Sequence, residues 1–313
     1  MANGSKLIVY VALAANVAIA VAKFIAAALT GSAAMLSEGV HSIVDSVNEI
    51  LLLYGMHRAN KPPDRENPLG YGRELYFWSF IVALLVLALG AGFSLYEGVN
   101  RVLAPDPLED PTANYIVLGV AALFEGTSWW LSLKSVKRKK GRMGYFDAFR
   151  ASKDPTTFTV LFEDTAALLG LALAAGGVFA SLAFNDPRLD GWASIGIAVV
   201  LALASILLAR ESKALLIGES ARPRLLEQVC AVASKVPGVR SVNGMVTMQV
   251  GPDQVMVALS AEFDDRLTTP DIEECVRAIE MRAREAKLPI VALFIKPQTP
   301  ERWEERWREL DKG

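Results

Sequence analysis

Apolar runs alternate with short polar segments over the first two thirds of the chain, and six of them stand out: 7–29, 33–55, 76–100, 112–133, 157–184 and 190–210. Each is about 20 residues or longer, enough for a helix to cross the hydrocarbon core of a bilayer. The second run is the least apolar. The segments after the first, third and fifth runs are short or acidic ("TGSA", "APDPLEDPT", "NDPRLD"). Those after the second and fourth hold His57, Arg58, Lys61, Arg65 and Arg73, then Lys134, Lys137, Arg138, Lys139, Lys140 and Arg142. Basic loops stay on the cytoplasmic side, so both termini are expected there.

Beyond Lys213 the pattern becomes that of a water-soluble domain. "RPRLLEQVCAVASKV" has helical spacing, "PGV" at 237–239 ends it, and "VTMQV" and "QVMVALSAEF" read as strands. The second strand alternates Val255, Val257, Leu259, Ala261 and Phe263 on one face. A helix over 271–286 and a third strand, "PIVALFIK", complete an αββαβ order, a small α+β sandwich. The tail "ERWEERWREL" predicts a short charged helix whose Trp303 and Trp307 form a packing edge. The expected organisation is a membrane all-α six-helix bundle over 1–212, a cytoplasmic αββαβ domain of ferredoxin-like type over 213–300, and a charged tail over 301–313.

Composition agrees with a membrane protein: 52% of 313 residues are hydrophobic, and the mean hydropathy is +0.32. The net charge of -2 gives no footing for nucleic acid binding. Cys230 and Cys275 both fall in the last third and read as free thiols packed on helices. The first apolar run is longer than the core of a signal peptide and lacks a convincing cleavage site, so it reads as a retained span.

The chemistry concentrates in the second run, "SEGVHSIVDSVNEI" over 37–50. On a helix Glu38, His41, Asp45 and Glu49 fall on one stripe, within about 80° of one another, and Asn48 borders it. A carboxylate at the bilayer centre costs about 2.5–3.5 kcal/mol even on the lenient insertion scale. Several on one stripe therefore require partners or a water-filled cavity. The bland alternative is an amphipathic helix on the membrane surface, but such helices carry Lys and Arg rather than carboxylates. The fifth run adds Glu163 and Asp164, which point about 100° apart, so only one can face the second run squarely. His41, Asp45 and a facing acid supply nitrogen and oxygen donors for a four-coordinate divalent ion. By spacing alone a proton relay or an ion-paired structural cluster is equally compatible.

"TGSAAMLSEGVHSIVD", "KPPDRENPLGYGRE" after the second run, the acid of the fifth run and the "VPGV" of the last domain together resemble the cation diffusion facilitator transporters. The resemblance covers residues 6–297, and "SKDPTTFTVLFEDTAALLG" is similar to the zinc transporter nine subgroup. It implies a homodimer that exports a divalent cation, usually zinc, from the cytoplasm in exchange for protons by alternating access. It also implies residence in a membrane, here expected to be a bacterial inner membrane, with no resident cofactor. The family's membrane site is two residues spaced by four on the second span and two on the fifth. His41 and Asp45 match the first pair and Asp164 the last position, but Val160 stands where the other ligand is expected. Glu163 is then the candidate replacement ligand, with Glu38, Asn48, Glu49 and Glu125 as proton pathway or surrounding groups. A site with one imidazole is harder than usual, which brings manganese, iron or cobalt beside zinc. The same departure, with a cytoplasmic domain that lacks histidine, opens a non-transporting regulatory role. In the loop after the second span, Asp64 matches an accessory-metal position of some relatives, but Asn67 and Tyr71 replace its histidines, so no metal is expected there.

The remaining polar residues have simpler readings. Lys23 lies near enough to an end of the first span to snorkel, with pairing to an acid as the alternative. Asn16 is expected to bond between helices, Trp129 and Trp130 to anchor at the interface, and "KRKKGRM" to set topology. No nucleophile–base pair or phosphate loop appears outside the bundle, so an enzyme is not expected.

Overall fold

The computed structural model describes residues 2–105, 111–140, 144, 153 and 155–310, and side chains from Asn16 onward except at 139–140, 155–158, 306–307 and 309–310. The acidic tip of the third connection, the end of the basic run and Asp154 of "SKDP" lie outside the described residues, as does the side chain of Trp307. The chain divides into two units, one of 1–57 with 75–213, the other of 58–74 with 214–313.

The first unit is helical. Its elements are α1 (Ala2–Thr30), α2 (Ala33–Ala59), α3 (Arg73–Leu85), a π turn (Val86–Ala91), α4 (Gly92–Leu103), α5 (Thr112–Lys140), α6 (Pro155–Phe184) and α7 (Arg188–Ile217). The second, third and seventh helices overrun the unit boundaries at one end. Among the described residues, four stretches are long and apolar enough to cross a membrane: Arg73–Leu103, Thr112–Arg138, Thr159–Phe184 and Arg188–Ile217. The π turn sits inside the first of these, where the sequence reads as one uninterrupted helix.

The α2 helix is turned inside out relative to a soluble helix. Glu38, His41 and Asn48 are buried, while Ile43, Val47, Ile50 and Leu53 are exposed. A helix lying on a membrane surface would put its charges in water, and here they face the bundle. The α1 helix repeats this sense, with Val17, Val21, Ile25 and Leu29 exposed at four-residue steps and Ala20, Lys23 and Ala27 inside. Between α4 and α7 the backbones meet at Gly98. A Cβ there would come 2.7 Å from Ile195 Cγ1 and 2.8 Å from the Gly191 carbonyl, so only glycine permits this crossing.

Within the second unit, α8 (Pro223–Ala233), β1 (Val239–Gly251), β2 (Gln254–Phe263), α9 (Thr269–Glu285), β3 (Ile290–Pro297) and α10 (Pro300–Leu310) follow in order. The sheet order is β1-β2-β3. The β1 and β2 strands are antiparallel, and β3 runs parallel to β2 after the α9 crossover. Val255, Val257, Leu259, Ala261 and Phe263 are all buried, the face that their alternation marks. The first strand begins at Val239, seven residues before the apolar "VTMQV". Two register irregularities, between Val239 and Ser241 and between Val242 and Gly244, let the polar stretch 239–245 stay paired to β2. The α9 helix starts two residues earlier than its apolar spacing indicates because Thr268 and Asp271 form a capping box. Trp303 of α10 is half-buried and closes on Gly244. The connection 58–74 belongs to this unit, and Asp64 organises it. Its carboxylate accepts from the Asn67 N–H at 2.7 Å, the Glu66 N–H at 3.0 Å and the Tyr71 hydroxyl at 2.6 Å.

Candidate functional site

Two residues, Gly31 and Ser32, join α1 to α2, so the helices run antiparallel and residues equidistant from the link meet. Lys23 lies opposite Glu38, with its Nζ 2.9 Å from Glu38 Oε2 and 2.7 Å from Ser42 Oγ. Both charged side chains are 0% exposed. Lys23 therefore does not snorkel; the short hairpin places it too deep in register with an acid. About two turns away along α1, Asn16 donates to Glu49 Oε1 at 2.8 Å, the interhelical bond expected of it.

The other end of α2 is fixed from far along the chain. Asp190, in the first turn of α7, accepts from Ser32 Oγ at 2.7 Å and from the Ala33 and Ala34 N–H groups at 2.6 and 3.3 Å. A carboxylate from another helix thus satisfies the open N–H groups at the start of α2. Ser37 and Ser194 oxygens lie 2.6 Å apart, and the Ser194 hydroxyl donates to the Ser94 carbonyl, tying α2 to α7 and α4. Asp190, Ser194 and Gly170 are the positioning residues that linear spacing missed. A Cβ on Gly170 would overlap Glu38 Oε1, so the absence of a side chain on α6 makes room for that acid.

The adjacent acids of α6 diverge as their 100° offset requires. Glu163 faces α2 and accepts from Asn48 Nδ2 at 3.1 Å. Asp164 turns to α5, where Ser128 and Ser132 donate to its Oδ2 at 2.9 and 3.2 Å. Trp129 joins the same seam by donating to Thr165 Oγ1 at 3.0 Å. It is a bridge between α5 and α6 rather than a free anchor, whereas Trp130 is exposed.

Between these helices lies a cavity of about 630 Å³ whose wall carries Asp45, Glu49, Glu125, Glu163 and Asp164, with no Lys or Arg among the described residues. Val160 also faces it. His41 is set behind the wall, with Nε2 3.4 Å from Asp45 Oδ2. Neither ring nitrogen has a hydrogen-bond partner, nor do Asp45 Oδ1, Asn48 Oδ1 and Glu38 Oε1. Buried polar atoms are nearly always paired, so this set is short of a polar or cationic occupant. Among the described residues no three His, Cys, Asp or Glu side chains converge into a ready chelate. The predicted ligands are therefore split between α2 (His41, Asp45) and α6 (Glu163, Asp164) across a shared acidic space.

A family model for the cation efflux transmembrane domain matches residues 9–217. The chain belongs to the cation efflux family. Its members are transporters rather than enzymes, and the acidic cavity lies inside the matched segment. The chain is 30% identical over 270 residues to the mitochondrial proton-coupled zinc antiporter SLC30A9 of Homo sapiens, covering 85% of this chain and 47% of that protein. It is 28% identical over 240 residues to metal tolerance protein C4 of Arabidopsis thaliana, 76% of this chain and 52% of that protein. It is 25% identical over 284 residues to magnetosome protein MamM of Magnetospirillum gryphiswaldense, 88% and 82% respectively. The chain spans about half the length of the human and Arabidopsis relatives.

Proposed function

We propose that this cation efflux protein exports a divalent cation, foremost zinc, in exchange for protons. The carrying observation is a cavity whose wall holds five carboxylates and, among the described residues, no cation, with unpartnered donor atoms of His41, Asp45 and Asn48 on one side. In this reading Asp45 and Asp164 are anionic ligands, His41 is ligand and proton switch, and Glu163 takes the role left open by Val160. Glu49 and Glu125 offer protonatable sites along the wall. Metal and proton compete because ligands bind metal only when deprotonated. Rocking of the helices between faces then turns that competition into exchange.

The same reading makes α1 and α2 spans as well, six in all, because their exposed faces are apolar and their charges are inside. It further takes the second unit as a ferredoxin-like cytoplasmic domain, the molecule as a homodimer and a bacterial inner membrane as its residence, with termini in the cytoplasm. A harder cation such as manganese, iron or cobalt is the second reading, favoured by the oxygen-rich wall and by Val160. A regulatory member that binds without transport is favoured by the lack of a ready chelate among the described residues.

Metal flux in proteoliposomes carrying an interior pH dye distinguishes these. Zinc, manganese, iron and cobalt are offered separately to wild type, Asp45→Ala and Asp164→Ala. Flux of one metal with opposite proton movement, lost in both variants, is the expected result. Binding without flux would leave the regulatory reading, and retained flux in either variant would remove that residue from the site.

A further inference from the structure

Lys23 is a buried cation placed behind the wall of an acidic cavity that carries none among the described residues. It is held by two contacts, Glu38 Oε2 and Ser42 Oγ. Ser42 itself faces the cavity, and Glu38 is one turn before His41 on the same stripe. Glu38 Oε1 remains unpartnered, pressed into the space that Gly170 leaves. A buried ion pair is a poor source of stability compared with apolar packing, so its presence calls for another account.

We propose that Lys23 is a positioning residue for the cargo: a tethered counter-cation that keeps Glu38 out of the metal's coordination shell and thereby limits how tightly the site holds a divalent ion. This rests on the transport reading above. The physical reason is that a carrier must release what it binds. The wall already offers five carboxylates, and one more anionic donor beside His41 would deepen the well in which the cation sits. Lys23 occupies that donor with a charge that cannot leave. Only Oε1 of Glu38 stays without a partner, and Lys23 offsets the carboxylate's negative charge as seen from the cavity. The protein thus retains an acid near the site without spending it on the metal.

The test uses full-length protein with zinc ion as probe, by equilibrium calorimetry and by proteoliposome flux, for wild type, Lys23→Met, Glu38→Gln, the double variant and Asp45→Ala. Removing Lys23 should tighten zinc binding by about tenfold or more and lower KM and kcat together, since an unscreened carboxylate beside the site acts on the bound ion at low effective dielectric. Adding Glu38→Gln should return affinity to within about twofold of wild type, because the released donor is then gone. Glu38→Gln alone leaves an unbalanced cation behind the wall and should weaken zinc binding. A merely structural role predicts instead a lower Tm with unchanged zinc affinity in Lys23→Met, and that result would overturn the proposal. So would tightened binding that persists in the double variant. If Lys23→Met does not fold, unchanged affinity in Glu38→Gln overturns it, while weakened affinity supports it. Loss of zinc binding in Asp45→Ala bears on the transport reading separately; absence of wild-type flux would sink that reading while calorimetry still decides the role of Lys23.

Discussion

Asp190 Oδ2 accepts a hydrogen bond from the Ala33 N–H at 2.6 Å, so the first turn of α7 caps the helix that carries His41 and Asp45. The two residues are 157 apart in sequence, and the contact fixes the start of α2 in both height and direction. Asp190→Ala removes this cap together with the bond from Ser32. Loss of a capping carboxylate costs about 1–2 kcal/mol. Asp190→Asn, which keeps an acceptor, should lose less. Thermal unfolding of the full chain in detergent measures the order, and equal loss in both variants would refute the capping role.

Gly170 leaves the space that Glu38 Oε1 fills. A methyl group there meets a buried carboxylate tied on its other side to Lys23, so the acid cannot simply withdraw. Gly170→Ala should destabilise the bundle by about 1–3 kcal/mol, the usual cost of overpacking. Combining it with Glu38→Ala should recover part of that loss. An additive double variant would show that the two sites do not touch.

Asp164 owes its direction to two hydroxyls of α5, Ser128 and Ser132, one turn apart. Replacing both with alanine leaves the acid without its hydrogen bonds to α5. Metal flux should fall at least about tenfold, in keeping with the 10–100-fold effects of groups that orient ligands. Each single variant should be milder than the pair. Undiminished flux in the double variant would place Asp164 outside the transport site.

Asp64 supplies the pH prediction for the connection 58–74. The Tyr71 hydroxyl first, then the Asn67 N–H, holds the Asp64 carboxyl below the usual carboxylate range. A depressed carboxylate contributes stability above its unfolded value, and that contribution is lost as pH falls through the folded value. The connection should therefore loosen only in acid, below the ordinary range for Asp. Tyr71→Phe should raise the Asp64 midpoint toward that range in an NMR titration, and an unmoved midpoint would contradict the assignment.

Much of this was legible along the chain because its causes are local. The period of four at 41, 45 and 49 marks the face of α2 turned to the bundle, the alternation at 255, 257, 259, 261 and 263 marks a buried face, and adjacency alone sets Glu163 and Asp164 apart. The pairing of Lys23 with Glu38 was within reach too, since a two-residue link fixes the register of its flanking helices. Other features depend on helices that meet only after folding. Nothing near Asp190 says that it caps α2, and Ser128 and Ser132 look like ordinary small residues of an apolar helix. The early start of β1 was hidden for a related reason: its first half is polar, and its strand character comes from the partner β2.

The Lys23–Glu38 pair also bears on how the chain enters a bilayer in the proposed six-span arrangement. Taken alone, α2 carries too many charges to partition into lipid, and α1 carries an ammonium at depth. Joined by only two residues, they can neutralise each other while still leaving the insertion machinery. In that arrangement the charge neutrality of the hairpin favours entry of the first two helices as one unit rather than in succession.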